Sequence, residues 1–492
     1  MNFARDVVDA APADATALIE LRRDGGRREW TFAEVSRASA CLAGRLREEG
    51  VEAGDVVMTL VGNRSEWALA LVACFRIGAV VLPCTEQLRA GDLQARLDLV
   101  RPKVVIADER NVGELGRTDA ETGAAIIAIP DPSIYAAAPA PAVELDPEAP
   151  ALIVFTSGTT GRPKAAVHPG RYLAGQELMA RAWLGAEPGD VVWCTASSGW
   201  SKSARNAFVA PWLRGAAGVL HDARFDAAER LDVVVRERVN VLCMSPTEYR
   251  LVAKRVPIRT PATLRRLVAA GEALDAETLE RWREATGLAI LDGYGQTETA
   301  HLTAPPGPGE TRPGSMGRPL PGVRMWVDEG ELVVDPATVP TFFTGYLGEP
   351  AVDRSQPWRT GDRVRQDEDG YLYFDSRTDD VIISSGYRIG PFEVESVLQS
   401  HPAVAEAAVV GMPDPDRGQI VRAVVVTAPG HLASAELGRE LQEHVKRFTA
   451  PYKHPRVVEF VPELPRTASG KLRRAELRSR QMVRPLPSDD GR

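Results

Sequence analysis

The sequence predicts an α/β protein with a large N-terminal region and a small α+β C-terminal domain. The large region should hold parallel-rich sheets with flanking helices and a β subdomain. Three observations predict this fold class. Apolar runs alternate with amphipathic stretches from Asp55 onwards, Pro and Gly crowd together near 303–322, and strands and helices resume from Asp379 to about Arg474. The 492 residues also exceed what one hydrophobic core usually supports.

The N-terminal half consists of strand–helix–strand units. The apolar runs DVVMTLVG, VVLPC and KVVIADE alternate with the amphipathic stretches SEWALALVACFRIGA and AGDLQARLDLV, which predicts helices between largely parallel strands. After a Pro/Ala-rich connector over 129–150, four more candidate strands each meet a loop containing Gly or Ser. They are ALIVF, GDVVWCTA, NVLCMS and LRRLVAAG. Ligands bind where loops leave the carboxyl ends of parallel strands, so these loops are the candidate site.

The pattern changes in the last third of the chain. ELVV and GYLYF are short and hairpin-like. They are followed by a strand (DVIIS), a helix (FEVESVLQSH), two strands (AEAAVVGM and IVRAVVVTA), a helix near 435–449 and a final strand (RVVEFV). We therefore predict a large domain over 1–376, a charged junction at 377–379 and a small domain over 380–492, with a frayed tail from about 482.

Composition and charge exclude several functional classes. With 44% hydrophobic and 26% charged residues the chain has the composition of a soluble globular protein, and its formal net charge of -8 argues against nucleic-acid binding. The acidic N-terminus lacks an export signal, and no window approaches the roughly 18 apolar residues of a spanning helix, which predicts no stable membrane insertion. Five scattered cysteines without a CxxC pair, and histidines without HExxH spacing, predict a reduced cytoplasmic protein with no zinc site.

A loop rich in glycine and hydroxyl side chains follows the strand ALIVF. It reads TSGTTGRPK over 156–164. Glycines let backbone N–H groups close around an anion, hydroxyls add donors, and the lysine supplies charge for pyrophosphate oxygens. The spacing differs from that of a Walker A loop, and a flexible linker would rarely follow an apolar strand and end in Pro-Lys. The segment is therefore a predicted phosphate-binding loop.

TSGTTGRPK resembles the signature loop of the adenylate-forming superfamily, which contains acyl-CoA synthetases, peptide-synthetase adenylation domains and luciferases. Further segments resemble other motifs of that superfamily, in its order. They are GYGQTET over 293–299 (adenine and metal), WRTGD over 358–362 (ribose), SRTDD over 376–380 with SGYRIGP over 385–391 (hinge and C-terminal strand), and PRTASGK over 465–471 (lysine loop). The resemblance covers nearly the whole chain. It implies ATP-dependent activation of a carboxylic acid, with Mg²⁺ as cofactor and ATP and CoA as co-substrates.

The resemblance also assigns residues to the nucleotide site and to catalysis. The implied ATP- and AMP-binding residues are Thr156, Ser157, Gly158, Thr159, Thr160, Gly161, Lys164, Gly271, Glu272, Ala273, Asp292, Gly293, Tyr294, Gly295, Gln296, Asp362, Arg377 and Arg388. The implied catalytic residues are Lys471, Thr297 and Glu298, with Glu298 also the metal ligand. A carboxylate suits Mg²⁺ beside a triphosphate because this ion prefers hard oxygen ligands and keeps several waters.

The same resemblance implies two half-reactions. The carboxylate attacks the α-phosphate to form acyl-AMP and pyrophosphate, a step that requires charge stabilisation and positioning and no general base. A hinge at Asp379 then lets the segment around Ser385 and Gly386 replace the lysine loop and line a CoA tunnel, where the thiol takes the acyl group and AMP leaves.

One segment indicates the branch of the superfamily. SSGWSKS over 197–203 resembles the corresponding segment of medium-chain acyl-CoA synthetases, which implies an acyl pocket at Trp200, Lys202 and Gly295. A ligase that loads a separate carrier protein is the alternative; a non-catalytic relative is disfavoured because the charged motif residues are present. Ala300-His301 departs from the glycine that medium-chain synthetases have after QTET, so the acid stays open.

Overall fold

The fold is known from a computed structural model of the chain. It describes residues 1–118, 123–156, 164–272, 274, 276–307, 309–378, 380–384, 387–415, 417–449, 451–466 and 472–479, without the side chains at 388 and 451. The described residues form two compact units. The first is drawn from Met1–Thr156, Pro163–Arg324 and Asp335–Trp358, and the second from Met325–Val334 and Arg359–Arg492.

Two seven-stranded sheets form the framework of the first unit. One has the order Ile290–Gly293, Arg266–Ala270, Val241–Met244, Val191–Cys194, Ala217–His221, Thr16–Leu21 and Arg27–Thr31, and only its last two strands pair antiparallel. The other has the order Gly345–Tyr346, Lys164–Pro169, Pro150–Thr156, Val80–Cys84, Val56–Leu60, Val104–Asp108 and Ala125–Ile129. Here Lys164–Pro169 pairs antiparallel with both of its neighbours. Two-stranded ribbons join Gly295–Gln296 to Ala300–His301 and Thr303–Ala304 to Arg318–Pro319.

Helices pack on these sheets through apolar faces. The α-helices of the first unit are Phe32–Glu48, Ser65–Ile77, Ala90–Val100, Glu109–Leu115, Arg171–Met179, Ala210–Leu213, Ala227–Arg236, Pro246–Arg255 and Ala276–Thr286. Ser65–Ile77 is buried on nearly all sides, as its continuous apolar sequence requires, and its Trp67 ring contacts Phe208 edge-on. The short segments Ala4–Asp9, Ala180–Leu184 and Arg205–Val209 are π-helical, and Pro132–Tyr135 and Pro336–Thr338 are 3₁₀ turns.

Local sequence accounts for several helix ends. Ser245 caps Pro246–Arg255: its side chain accepts the Glu248 N–H and the Glu248 side chain accepts the Ser245 N–H, with Pro at the first helical position. Gly78 ends Ser65–Ile77 in the left-handed region, at φ +77°. No helix within the described residues is both long enough and apolar enough to cross a bilayer.

The second unit combines a four-stranded sheet with an α+β fold. The four-stranded order is Met325–Asp328, Glu331–Val334, Trp358–Gln366 and Leu372–Arg377. The five-stranded sheet contains Tyr387–Ile389, Ile382–Ser384, Gly418–Thr427, Val404–Asp414 and, parallel to Gly418–Thr427, Val457–Phe460. Its α-helices are Pro391–Gln399, Ala435–Phe448 and Arg474–Ser479, with a 3₁₀ turn at Pro451–Lys453.

The predicted α/β class is confirmed. Each strand and helix predicted between Asp55 and Ala270 forms, and so do the hairpin strands and the elements of the C-terminal α+β segment. The predicted hinge at 377–379, and with it the boundary between 1–376 and 380–492, stays a prediction.

Candidate active site

The loops of the first sheet leave the carboxyl ends of its parallel strands, where the sequence predicts the site. Arg266–Ala270 leads into Gly271 and Glu272, and Ile290–Gly293 leads into Tyr294. The Thr247 hydroxyl, at the start of the neighbouring helix, donates to Glu272 Oε2 at 2.8 Å. Gly271 has φ +103°, a conformation that favours glycine. The structure thus brings these predicted residues to one edge of the sheet.

Lys202 reaches the same edge from another loop. Its Nζ donates to the carbonyl oxygen of Ala270 at 3.2 Å and lies 3.6 Å from the position that a Cβ on Gly271 would occupy. Asp292 accepts the Gly293 N–H at 2.9 Å. Burial raises the pKa of Asp292 to about 8, and the Gly293 N–H and the charge of Lys202 lower it only in part. Asp292 therefore keeps its proton at neutral pH.

The segment from Tyr294 to Ala300 is a tight ribbon. Tyr294 is buried, and its N–H donates to Thr303 Oγ1 at 2.9 Å. A Cβ on Gly295 would lie 1.9 Å from the carbonyl oxygen of Ala300, so only glycine fits there. Gln296 N–H donates to Thr299 Oγ1 at 3.1 Å, and Thr297 lies half-buried in the turn. These contacts fix the path of the backbone that carries Glu298.

Glu298 is coupled to Lys164 through Tyr346, which the sequence analysis did not single out. The Tyr346 hydroxyl donates to Glu298 Oε1 at 2.7 Å. The Lys164 ammonium lies 4.5 Å from the centre of the Tyr346 ring and pairs with Glu349 Oε1 at 3.0 Å. Thr156 and Lys164 are cross-strand partners at the two ends of the predicted phosphate loop. The predicted phosphate lysine and the predicted metal carboxylate thus share one cluster.

The Glu298 carboxylate fits a divalent cation. One of its oxygens accepts from Tyr346, and no lysine or arginine among the described residues forms an ion pair with it. Mg²⁺ uses one or two carboxylates and keeps several waters, so a single half-buried carboxylate beside the predicted phosphate loop matches its needs.

In the second unit, Asp362 and Arg377 form an ion pair. They are cross-strand partners, and Arg377 Nη1 donates to Asp362 Oδ1 at 2.8 Å. Asp362 is buried, and its N–H donates to Thr360 Oγ1 at 3.1 Å. A carboxylate has several acceptor positions, which suits it to accept hydrogen bonds from the hydroxyls of a ligand.

The remaining predicted site residues lie outside the described part of the chain. They are Ser157, Gly158, Thr159, Thr160, Gly161, Ala273, Asp379, Ser385, Gly386, Lys471 and the side chain of Arg388.

The predicted acyl-pocket residue Trp200 is half-buried and lines a small internal cavity. The preceding Gly199 has φ +87°, and a Cβ there would lie 2.3 Å from the Thr85 backbone nitrogen. Sequence reasoning missed Arg205 and Tyr172, which line the same cavity. The available signal was an arginine placed next to the apolar run AFVAPWL.

The unusual Ala300-His301 pair also has a structural setting. Ala300 is fully buried at φ +58°, a region that disfavours residues with a Cβ. The His301 ring packs on Trp183 with centroids 3.9 Å apart. Burial first, and then the charge of Arg205, hold the pKa of His301 well below its usual range, so this ring is neutral.

Comparisons with known proteins cover the whole of this arrangement. The family model of AMP-binding enzymes matches residues 4–347, and that of the AMP-binding enzyme C-terminal domain matches 393–471. The chain is 37% identical to an uncharacterized acyl-CoA ligase, YtcI, of Bacillus subtilis (strain 168), over 96% of this chain and 94% of the relative. It is 39% identical to the human mitochondrial acyl-coenzyme A synthetase ACSM4, over 98% and 90%.

Solved structures of CoA ligases also resemble this chain over nearly its whole length. The anthranilate CoA ligase AuaEII in complex with anthranoyl-AMP superimposes with a TM-score of 0.88 at 29% identity, over 97% of this chain and 96% of that one. A benzoate CoA ligase from Burkholderia xenovorans LB400 superimposes with a TM-score of 0.87 at 29% identity, over 97% and 100%.

Proposed function

The chain belongs to the family of AMP-binding enzymes, and from this membership and its site residues we propose an ATP-dependent acyl-CoA synthetase that activates a small carboxylic acid. In the first half-reaction, a carboxylate oxygen bonds to the α-phosphorus of ATP and the bond to pyrophosphate breaks, which yields acyl-AMP. In the second, the sulfur of CoA bonds to the acyl carbon, the bond to AMP breaks, and the thiol proton is lost to solvent. The products are acyl-CoA and AMP.

The observation that carries this proposal is the cluster of Lys164, Tyr346 and Glu298 at the ends of the phosphate loop. Lys164 supplies positive charge toward the β- and γ-phosphates, and Tyr346 orients the Glu298 carboxylate through its 2.7 Å hydrogen bond. Glu298 would hold Mg²⁺, which when bound neutralises phosphate oxygens. Phosphoryl-transfer catalysis consists largely of such positioning and charge stabilisation.

The remaining assignments follow the motifs. Asp362, with Arg377 beside it, would accept hydrogen bonds from the ribose hydroxyls. Lys471 would stabilise the α-phosphate in adenylation. Ser385 and Gly386 would line the CoA tunnel after a movement about Asp379. The CoA thiol, with a reference pKa of about 8.5, is partly ionised near neutral pH and needs no dedicated base.

A panel of carboxylic acids tests the proposal. Each acid is incubated with ATP and either CoA or a holo-carrier protein, and pyrophosphate, AMP and the thioester are measured. We expect pyrophosphate, AMP and an acyl-CoA. Pyrophosphate with thioester formed only on the carrier protein would identify a carrier-loading ligase, and no pyrophosphate with any acid would exclude an adenylating enzyme.

A single substitution tests whether Lys471 acts in the first half-reaction and not in the second. Lys471→Ala should reduce adenylate formation by about 10²-fold or more while thioester formation from supplied acyl-AMP persists, because the charge acts only in the first transition state. Lys446→Ala is the matched control, since Lys446 lies on the helix Ala435–Phe448 and, among the described residues, forms its ion pair with Glu443. Equal loss of both half-reactions in Lys471→Ala would refute the assigned role.

A further inference from the structure

A small cavity lies on the inner side of the Trp200 loop. Its walls are mostly apolar, with Leu71, Leu152 and Leu173 among them, and four polar side chains complete the lining: Tyr172, Trp200, Ser201 and Arg205. No carboxylate lines it. Arg205 begins the π-helical segment Arg205–Val209 and is only 6% exposed.

Arg205 is buried without the partner that comparable arginines have. Arg76, Arg230 and Arg422 are as deeply buried, and each pairs with a carboxylate, of Asp9, Glu248 and Glu459 respectively. The guanidinium of Arg205 forms no ion pair with any described residue, and its Nε and Nη1 are buried without a hydrogen-bond acceptor. Burying an unpaired charge is costly, so an anion bound next to Arg205 would remove this cost.

Two further donors face the same space. The Tyr172 hydroxyl and the Trp200 Nε1 are both buried and have no acceptor among the described residues. His168 packs against Tyr172 with ring centroids 4.4 Å apart, and burial together with the charge of Arg205 lowers its pKa to about 3. The histidine is therefore neutral, and Arg205 supplies the positive charge at the cavity. A carboxylate suits this set because guanidinium binds it with two parallel hydrogen bonds.

The Trp200 loop connects this cavity to the candidate active site. Trp200 and Ser201 line the cavity, whereas the adjacent Lys202 reaches the Ala270 carbonyl at the strand ends. The cavity has room for about one water molecule, so an acid that reacts at the strand ends would reach Arg205 with its other end only if the Trp200 loop moved outward.

We propose that Arg205 is a specificity-determining residue that binds the second, distal carboxylate of a short dicarboxylic acid, with Tyr172 and Trp200 as additional donors. This inference rests on the proposed acyl-CoA synthetase function. The distal carboxylate takes no part in the chemistry: the other carboxylate forms the adenylate and then the thioester, so the product is a CoA thioester with a free carboxylate.

Matched acid pairs test the assignment. Succinate, glutarate and adipate are compared with butanoate, pentanoate and hexanoate by kcat/KM for CoA-thioester formation. In the wild type, one dicarboxylic acid should exceed its monocarboxylic counterpart by about 10²-fold or more, since a site built around a polar group rejects analogues that lack it. Arg205→Met should abolish this preference, and Arg205→Lys should retain part of it.

A control variant separates loss of stability from loss of specificity, and a binding measurement tests the anion site directly. Arg76→Met also removes a buried arginine, and it should lower the melting temperature without changing the preference between paired acids. The preferred dicarboxylate alone should raise the melting temperature of the wild type and of Arg205→Lys, and not that of Arg205→Met.

Three results would overturn the assignment. The first is equal kcat/KM for both acids of every pair, and the second is an equal loss of kcat/KM for all acids in Arg205→Met. The third is a rise in melting temperature with chloride that depends on Arg205, together with no preference for any dicarboxylic acid. Arg205-dependent dicarboxylate binding with no turnover of any acid would instead retain the anion site and refute the proposed function.

Discussion

Replacement of Asp292 by Asn should stabilise the protein by an amount that grows with pH. Burial raises the pKa of Asp292 in the folded protein to about 8, against an ordinary value of 3.8 that the unfolded chain retains. Between these values the folded protein keeps a proton that the unfolded chain has released. Wild-type stability therefore falls as the pH rises through this window, and the fall ends above about pH 8, where both states are ionised.

The magnitude follows from the pKa difference. The whole pKa difference corresponds to about 6 kcal/mol, which is reached above pH 8. Because the side chain keeps some contact with solvent, we halve this figure, which leaves about 2 kcal/mol at pH 7 and about 3 kcal/mol above pH 8. Asn can accept the Gly293 N–H as the acid does, and it carries no ionisable proton. The stability of the variant therefore should not fall with rising pH through this position.

Thermal unfolding of the two proteins from about pH 6 to about pH 9 measures the effect. The melting temperature of Asp292→Asn minus that of the wild type should grow up to about pH 8 and then level off. Asp353→Asn is the control. Asp353 is exposed, and the hydroxyl of Ser355 lowers its pKa. The melting temperature of Asp353→Asn minus that of the wild type should therefore not grow with pH. A constant difference for Asp292→Asn would mean that the carboxyl is ionised throughout and would refute the reasoning.

Three further substitutions test other parts of the structure. Tyr346→Phe should slow acid-dependent pyrophosphate exchange by roughly 10- to 100-fold at unchanged melting temperature, because it removes a hydrogen bond to the charged Glu298; an unchanged rate would contradict this role. Ala300→Gly should stabilise the protein by about 1 kcal/mol in chemical denaturation because glycine accepts φ +58°, and a loss of stability would show that the methyl group packs favourably. Glu395→Gln should cost about 1 to 3 kcal/mol, because it removes the buried carboxylate from its pair with the half-buried Arg474, which keeps its second partner Asp380. Hydrogen exchange should then accelerate in the second unit alone, and equal acceleration in both units would argue against a local effect.

Family and secondary structure were predictable from the sequence because both depend on contiguous residues. The superfamily inferred from the motifs is confirmed by the family models and by the acyl-CoA synthetase relatives. Runs such as VVLPC form strands that are buried throughout, and the phosphate loop begins at the end of a strand, as ALIVF indicates. Apolar runs and turn residues carry this information locally.

Strand neighbours were not predictable in this way. Thr16–Leu21 pairs with Ala217–His221, about two hundred residues later, and Lys164–Pro169 pairs with Gly345–Tyr346. Both contacts join elements that the local pattern leaves unrelated, because many apolar strands could occupy the same place until the whole unit packs. The hydrogen bond from Tyr346 to Glu298 depends on the second of these pairings, so it could not be inferred before the fold was known.

The same distinction explains why the activated acid is harder to infer than the reaction. Phosphate and adenylate are shared by every member of the superfamily and are handled by short motifs, so they leave a contiguous record in the sequence. The residues that we propose for the acyl group come from separate elements: Tyr172 from the helix Arg171–Met179, Trp200 from a loop, and Arg205 from the segment that follows it. In the sequence Arg205 is an arginine beside an apolar run, and only packing shows that it is buried without a carboxylate. If the proposal holds, selection of the acid depends on tertiary contacts, and the comparison of the acid pairs measures how much the charge of Arg205 contributes to that selection.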